Sequence, residues 1–95
     1  MRRQKNRLPI GVFDSGVGGI SVLVEIIKLL PHEEFIYYAD SINAPYGIKP
    51  ENTIRSLTIK AADFLFKLGV KSLVVACNTA TSAAIKEIRR IFALP

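Results

Sequence analysis

The chain has no tryptophan, only one cysteine, and no apolar stretch of the length that crosses a membrane. With Cys77 as its sole thiol, the sequence offers neither an internal disulfide nor a cysteine-based metal site. A membrane helix needs about 18 consecutive apolar residues, and no segment supplies them. The apolar run at 8–13 is too short for a signal peptide, and no small-residue cleavage site follows it. These absences predict a soluble, cytoplasmic protein.

Excess positive charge is also scarce once the first seven residues are set aside. Four of the 13 basic residues lie in residues 1–7, and the other 88 residues hold nine basic and eight acidic groups. No basic stripe interleaved with aromatic side chains is present, so the sequence does not indicate nucleic-acid binding. Residues 1–7 are therefore predicted to form a flexible basic tail, and residues 8–95 a small domain.

Three apolar runs predict β-strands, and helical periodicity fills the intervals between them. The runs are "LPIGVF" at 8–13, "EFIYYAD" at 34–40 and "KSLVVAC" at 71–77. The last run does not alternate between apolar and polar residues, which is typical of a strand covered on both faces. Residues 41–50 contain Asn, Pro and Gly and are predicted to be an irregular loop.

The predicted helices differ in how much of their surface is apolar. The first, residues 19–30, carries so wide an apolar stripe that it is expected to be largely buried. The second opens at Pro50 and ends just before Gly69, and the third runs from about Thr79 to Ala93. The stripe of the second helix consists of Ile54, Leu57, Ala61, Phe64 and Leu68.

Strands that alternate with amphipathic helices predict an α/β fold with a parallel sheet flanked by helices, doubly wound and flavodoxin-like. Three strands make a thin sheet, so residues 8–95 are expected to be an incomplete domain. In such sheets, ligand sites lie beyond the carboxyl ends of the strands. Three polar clusters follow the three strands and should therefore meet at one edge: Asp14-Ser15-Gly16, Asp40-Ser41 and Cys77-Asn78-Thr79.

The glycine-rich segment "DSGVGG" at 14–19 has two readings. Its glycines permit tight turns and expose backbone N–H groups at a helix start, which makes an anion cradle. It matches neither the P-loop nor the dinucleotide-binding fingerprint, so it is equally an ordinary strand-to-helix turn capped by Asp14. The segment "PYG" at 45–47 is likewise a turn that either serves only the loop or presents Tyr46 to a ligand.

Cys77 is either a small buried side chain or a reactive thiol. Its place at a predicted helix start favours the thiolate, because the positive end of the helix dipole lies there. The helix-start amides, with Asn78 and Thr79, are suited to bind a carboxylate beside the thiol, and Asp14 is placed to influence its proton. With no histidine nearby, a Cys–His hydrolase is disfavoured.

The segments "GVFDSGVGGISVL", "YYADSINAPYG" and "VVACNTAT", in this order and spacing, resemble the N-terminal part of the glutamate racemases. These enzymes belong to the cofactor-independent aspartate/glutamate racemase family. The resemblance implies interconversion of L- and D-glutamate by two cysteines on opposite faces of the substrate, without pyridoxal phosphate or metal. The D-glutamate supplies peptidoglycan synthesis, and a homodimer is one form open to the full-length enzyme.

Carried over position by position, the resemblance implies a role for seven residues. Cys77 corresponds to the first catalytic cysteine, and Asp14 to a substrate-contacting residue that also assists this thiol. The implied substrate-binding residues are Asp14, Ser15, Tyr46, Gly47, Asn78 and Thr79.

The family has a second domain that carries the second cysteine, and the resemblance of these 95 residues extends only to the first. The 95 residues are therefore expected to be inactive alone, as the first part of a two-domain racemase fold. Two alternatives stay open at this point: a sister racemase that acts on aspartate, and a non-catalytic module that binds a carboxylate or a partner protein.

Overall fold

A computed structural model of the chain describes residues 8–16 and 19–92. The predicted basic tail, residues 1–7, and the predicted end of the last helix at Ala93 lie outside the described residues. Two short 3₁₀ helices, Ser41–Asn43 and Tyr46–Ile48, occupy the segment predicted to be irregular. The strands and α-helices are, in chain order, β1 (Ile10–Asp14), α1 (Gly19–Leu29), β2 (Phe35–Ala39), α2 (Glu51–Lys67), β3 (Ser72–Val75) and α3 (Asn78–Phe92).

The three strands form one parallel sheet in the order β2-β1-β3, which confirms the predicted fold class. Val12 in the central strand pairs with Tyr37 on one side and with Val74 on the other. Every residue of β1 is buried, whereas every residue of β3 is only half-buried. The prediction that β3 is covered on both faces was therefore wrong. An unalternating apolar run does not distinguish a central strand from an edge strand.

The helices divide between the two faces of the sheet. The connection from β1 to β2 and the connection from β2 to β3 run in opposite directions across the sheet. Because both are right-handed crossovers, α1 lies on one face of the sheet and α2 on the other. α3 shares the face of α2, because Ala62 of α2 packs with Ala84 and Ile88 of α3. The main core between this helix pair and the sheet consists of Phe13, Tyr46, Ile54, Ala61, Leu65, Val70, Ala80 and Ala83.

The expected stripe of α2 is partly displaced. Ile54 and Ala61 are buried as predicted, but Phe64 and Leu68 are each half exposed. The fully buried positions include Leu65, because α2 packs against both the sheet and α3 and so turns a wider face inward. α2 begins at Glu51, one residue after the predicted start at Pro50, and Gly69 follows its end with a φ of 94°, as the sequence predicts.

The prediction that α1 is largely buried was wrong. Gly19 is its only buried residue, and the side chains of Ile20 and Leu29 are 63% and 78% exposed. The apolar pattern of a helix indicates which residues can be buried. A helix is largely buried only when other elements pack on both of its sides. Among the described residues, α1 packs mainly on β1, so its outer face remains uncovered. No described helix combines the length and the apolarity that a membrane span requires.

Candidate active site

A cavity of about 540 Å³ opens at the carboxyl edge of the sheet. It lies where the segment after β1, the loop after β2 and the start of α3 meet, as the rule for parallel sheets predicts. Six of the seven predicted site residues line it: Ser15, Tyr46, Gly47, Cys77, Asn78 and Thr79. The lining residues that the sequence did not single out are Val22, Pro45, Val75 and Ala76. Their apolar side chains carry no chemical signal by which to find them.

The thiol of Cys77 is held at the entrance to α3. Its Sγ donates a hydrogen bond to the Oγ of Ser15 at 3.1 Å, across 62 positions of sequence. The carbonyl oxygen of Cys77 accepts hydrogen bonds from both the backbone N–H and the Oγ1 of Thr81, at 2.9 and 2.8 Å. Cys77 thus directly precedes α3, and its half-buried side chain borders the cavity at the helix end where negative charge is favoured.

Asp14 is the one predicted site residue that does not line this cavity. Its side chain is 1% exposed, and its Oδ2 accepts hydrogen bonds from the backbone N–H of Gly19 at 2.9 Å and from the hydroxyl of Tyr37 at 2.8 Å. Asp14 thus accepts a hydrogen bond from the first residue of α1, which agrees with the reading of residues 14–19 as a turn capped by Asp14. The neighbour that hydrogen-bonds the thiol is Ser15, so assistance by Asp14 to Cys77 stays a prediction.

The loop after β2 contributes a tyrosine whose hydroxyl is tied down. Tyr46 is 2% exposed and donates to the Oδ2 of Asp40 at 2.6 Å. Burial raises the pKa of Tyr46 well above its ordinary value, and the hydrogen bond to Asp40 raises it further. The sequence placed Asp40 at a strand end but gave no sign of this pairing, because both residues are common in loops.

We expect an alkaline loss of stability that depends on Tyr37. Burial and then its hydrogen bond to Asp14 raise the pKa of Tyr37 from about 10 to about 12. Between those values the Tyr37 hydroxyl of the unfolded chain releases a proton that the folded chain keeps. The contribution of Tyr37 to the free energy of unfolding is therefore full below about pH 10 and is lost as the pH rises through about 12. Urea unfolding of the wild type and Tyr37→Phe should therefore show the wild type more stable near neutral pH, with the difference shrinking across this interval. A difference that stays constant with pH would contradict the assignment.

Comparison with known proteins gives a consistent result. No protein-family model matches the chain. The glutamate racemase of Clostridium botulinum is 59% identical over 90 residues, which are 95% of this chain and 35% of that protein. The solved glutamate racemase of Thermus thermophilus, in complex with β-chloro-D-alanine, superposes with a TM-score of 0.91 at 49% identity, over 95% of this chain and 35% of that one. The glutamate racemase of Francisella tularensis, in complex with D-glutamate, gives 0.86 at 38% identity, over 90% and 33%.

The likeness in fold is accompanied by 49% and 38% sequence identity, so the chain has the α/β fold of the matched part of these glutamate racemases. It corresponds to the N-terminal portion of glutamate racemase. The chain spans about a third of the length of the curated relatives that it matches.

Proposed function

We propose that this chain supplies the first-thiol side of a glutamate racemase active site. The enzyme would interconvert L- and D-glutamate without a cofactor and so supply D-glutamate for peptidoglycan synthesis, in the cytoplasm. The observation that carries the proposal is the meeting of Cys77 with five other predicted site residues around one cavity. Further support comes from the Francisella tularensis relative, whose structure contains D-glutamate.

The chemistry proposed for Cys77 is transfer of the substrate α-proton on one face. The thiolate removes this proton, the C–H electron pair moves into the adjacent carboxylate system, and a second acid delivers a proton to the opposite face. Ser15 is placed to hold the sulfur by hydrogen bonding, since its Oγ lies 3.1 Å from Sγ. Once the sulfur has lost its proton, the Ser15 hydroxyl would change from acceptor to donor, and this donor and the helix start would both favour the negative charge.

Substrate binding is proposed to use the start of α3 and the loop after β2. Unpaired backbone N–H groups at a helix N-terminus favour anions, so Asn78 and Thr79 would hold a carboxylate of glutamate beside the thiol. Tyr46 and Gly47 line the cavity from the loop after β2, where they would bound the substrate. The contact of Asp14 with substrate belongs to the same proposal, although its carboxylate faces α1 and Tyr37.

The 95 residues alone are proposed to be incompetent as a racemase. Inversion through a planar carbanion requires a proton donor on each face, and Cys77 is the only thiol of this chain. The relatives carry about two thirds of their length outside the matched region, and that part would supply the second acid and close the cavity against water. Dimerisation of such a full-length enzyme remains a proposal as well.

A chimera tests the proposal. Residues 1–95 are joined to the part of the Clostridium botulinum glutamate racemase that follows its matched region, hereafter the chimera. We expect the chimera to racemise glutamate in a polarimetric assay and the isolated chain to leave either enantiomer unchanged. Equal or faster turnover of aspartate would favour the sister racemase. A folded chimera that turns over neither amino acid would favour a non-catalytic module.

A further inference from the structure

Asp40 is a nearly buried carboxylate, and in the part of the chain that the structure describes its side-chain hydrogen bonds come from one loop. Its Oδ2 accepts from the hydroxyl of Tyr46 at 2.6 Å, and the Nδ2 of Asn43 lies 2.9 Å from Oδ1 and 3.0 Å from Oδ2. Both donors are neutral side chains. The backbone of Asp40 is fixed separately, because its N–H donates to the carbonyl oxygen of Asp14 at 2.9 Å. The carboxylate is therefore anchored to the sheet and holds the loop.

The aliphatic side chains of the loop 41–48 do little to hold it in position. Its two large aliphatic side chains, Ile42 and Ile48, are 96% and 81% exposed and so contribute almost no burial. Tyr46 is the large side chain of this loop that packs in the core, with its ring centroid 6.2 Å from that of Phe13. An anchored hydroxyl fixes the direction of this ring, because a tyrosine that is held at both ends cannot swing out without losing a charge-assisted hydrogen bond.

The loop also fits closely against the segment that follows β1. Gly16 has a φ of 103°, and a Cβ at this position would come within 2.9 Å of the Cα of Ser41 and 3.2 Å of the Cβ of Ala44. Ser15, the hydrogen-bond partner of Cys77, directly precedes this contact. A shift of the loop would therefore disturb two sides of the cavity, the wall made by Tyr46 and the segment that carries Ser15.

We propose that Asp40 is a positioning residue, which holds Tyr46 in place as the wall of the cavity beside Cys77. Asp40 itself is absent from the cavity lining, so it acts through Tyr46. The claim that Asp40 affects how substrate fits rests on the proposed racemase function. The claim that Asp40 affects the surroundings of Cys77 through Tyr46 does not.

The coupling is measured in the isolated chain by the rate at which iodoacetamide alkylates Cys77, the only thiol. The variants are Asp40→Asn, Tyr46→Phe and the two combined. Loss of a hydrogen bond to a charged group should favour the open loop about tenfold, so each single variant is expected to react about tenfold faster. The double variant should react no faster than either single one, because both changes release the same contact. Asp63→Asn, at a half-exposed aspartate of α2 that lines no part of the cavity, is the matched control and should react at the wild-type rate.

Comparison of the two single variants with the double variant separates positioning of Tyr46 by Asp40 from a general loss of stability. If Asp40 only stabilised the fold, Asp40→Asn would accelerate alkylation by the same factor with Tyr or Phe at position 46, and this additivity would overturn the proposal. An unchanged rate in Asp40→Asn would overturn it too. If circular dichroism shows that Asp40→Asn does not fold, the alkylation rate is measured in Asn43→Ala instead. This variant removes two hydrogen bonds to the Asp40 carboxylate and keeps its charge. Acceleration in that variant supports the proposal, and a wild-type rate contradicts it. Neither outcome depends on whether the chimera racemises glutamate.

Discussion

Replacement of Cys77 by serine in the chimera is expected to lower kcat for glutamate by about 10²–10⁴-fold, the usual contribution of a positioned acid–base group. Serine has nearly the shape of cysteine, but its hydroxyl is a far weaker acid and does not supply an anion near neutral pH. The hydrogen bond to Ser15 and the cavity lining should survive the change. Initial rates in both directions give the comparison, because a residue that acts on one face takes part in both.

The control for this substitution is Ser82→Ala, at an exposed position of the same helix α3. It changes a small polar side chain without touching the cavity and should leave kcat within about twofold of the unsubstituted chimera, as surface changes usually do. If Cys77→Ser kept more than about a tenth of kcat while Ser82→Ala behaved as expected, the thiol would fall below the usual range for an acid–base group and would be a packing residue.

Gly19→Ala is expected to destabilise the isolated chain by about 2–3 kcal/mol. At an ordinary helical position, alanine would instead stabilise by about 1 kcal/mol. Here the added Cβ would overlap the carboxyl group of Asp14, which approaches closely because it accepts a hydrogen bond from the Gly19 N–H. Either Asp14 or the start of α1 must move, and the Tyr37 hydrogen bond to the same carboxyl oxygen is then disturbed.

Gly47→Ala is the matched control for this prediction. A Cβ on Gly47 would meet no atom within 4 Å, so the substitution should be neutral or stabilise by up to about 1 kcal/mol through the unfolded chain. Urea unfolding of both variants gives the two free energies. Equal stability of Gly19→Ala and Gly47→Ala would show that the Asp14 carboxyl yields at no cost, contrary to the packing described.

The sequence predicted the positions of the helices and strands better than it predicted how far each is buried by its neighbours. Alternation of apolar runs and helical stripes gave β1, β2, β3 and the three helices, because these periodicities reflect the backbone itself. The exposure of α1 and the edge position of β3 were missed, since an apolar residue carries no mark of the neighbour that buries it. For the same reason the buried face of α2 was predicted only in part, since Leu65 rather than Phe64 faces the core.

The candidate site was predictable where strand ends determine it and not where side chains pair over long distances. Cys77, Asn78 and Ser15 follow strands of a parallel sheet, so their meeting at one edge follows from topology. The hydrogen bond between Tyr37 and Asp14 joins the middle of β2 to the end of β1, and its formation depends on the register of the two strands. Register and side-chain direction arise only in the folded chain.

The fate of the substrate α-proton is the most direct test of Cys77 as one of two proton-transfer groups. The chimera is incubated with L-glutamate in heavy water, the two enantiomers are separated on a chiral column, and the deuterium content of each α-position is measured from the first turnovers. We expect the D-glutamate formed to carry deuterium while unconverted L-glutamate keeps its proton, because different groups remove and deliver it. The Cys77→Ser chimera should form almost no deuterated product. D-glutamate that retains the original proton, or an unchanged rate of deuteration without the thiol, would contradict the assignment.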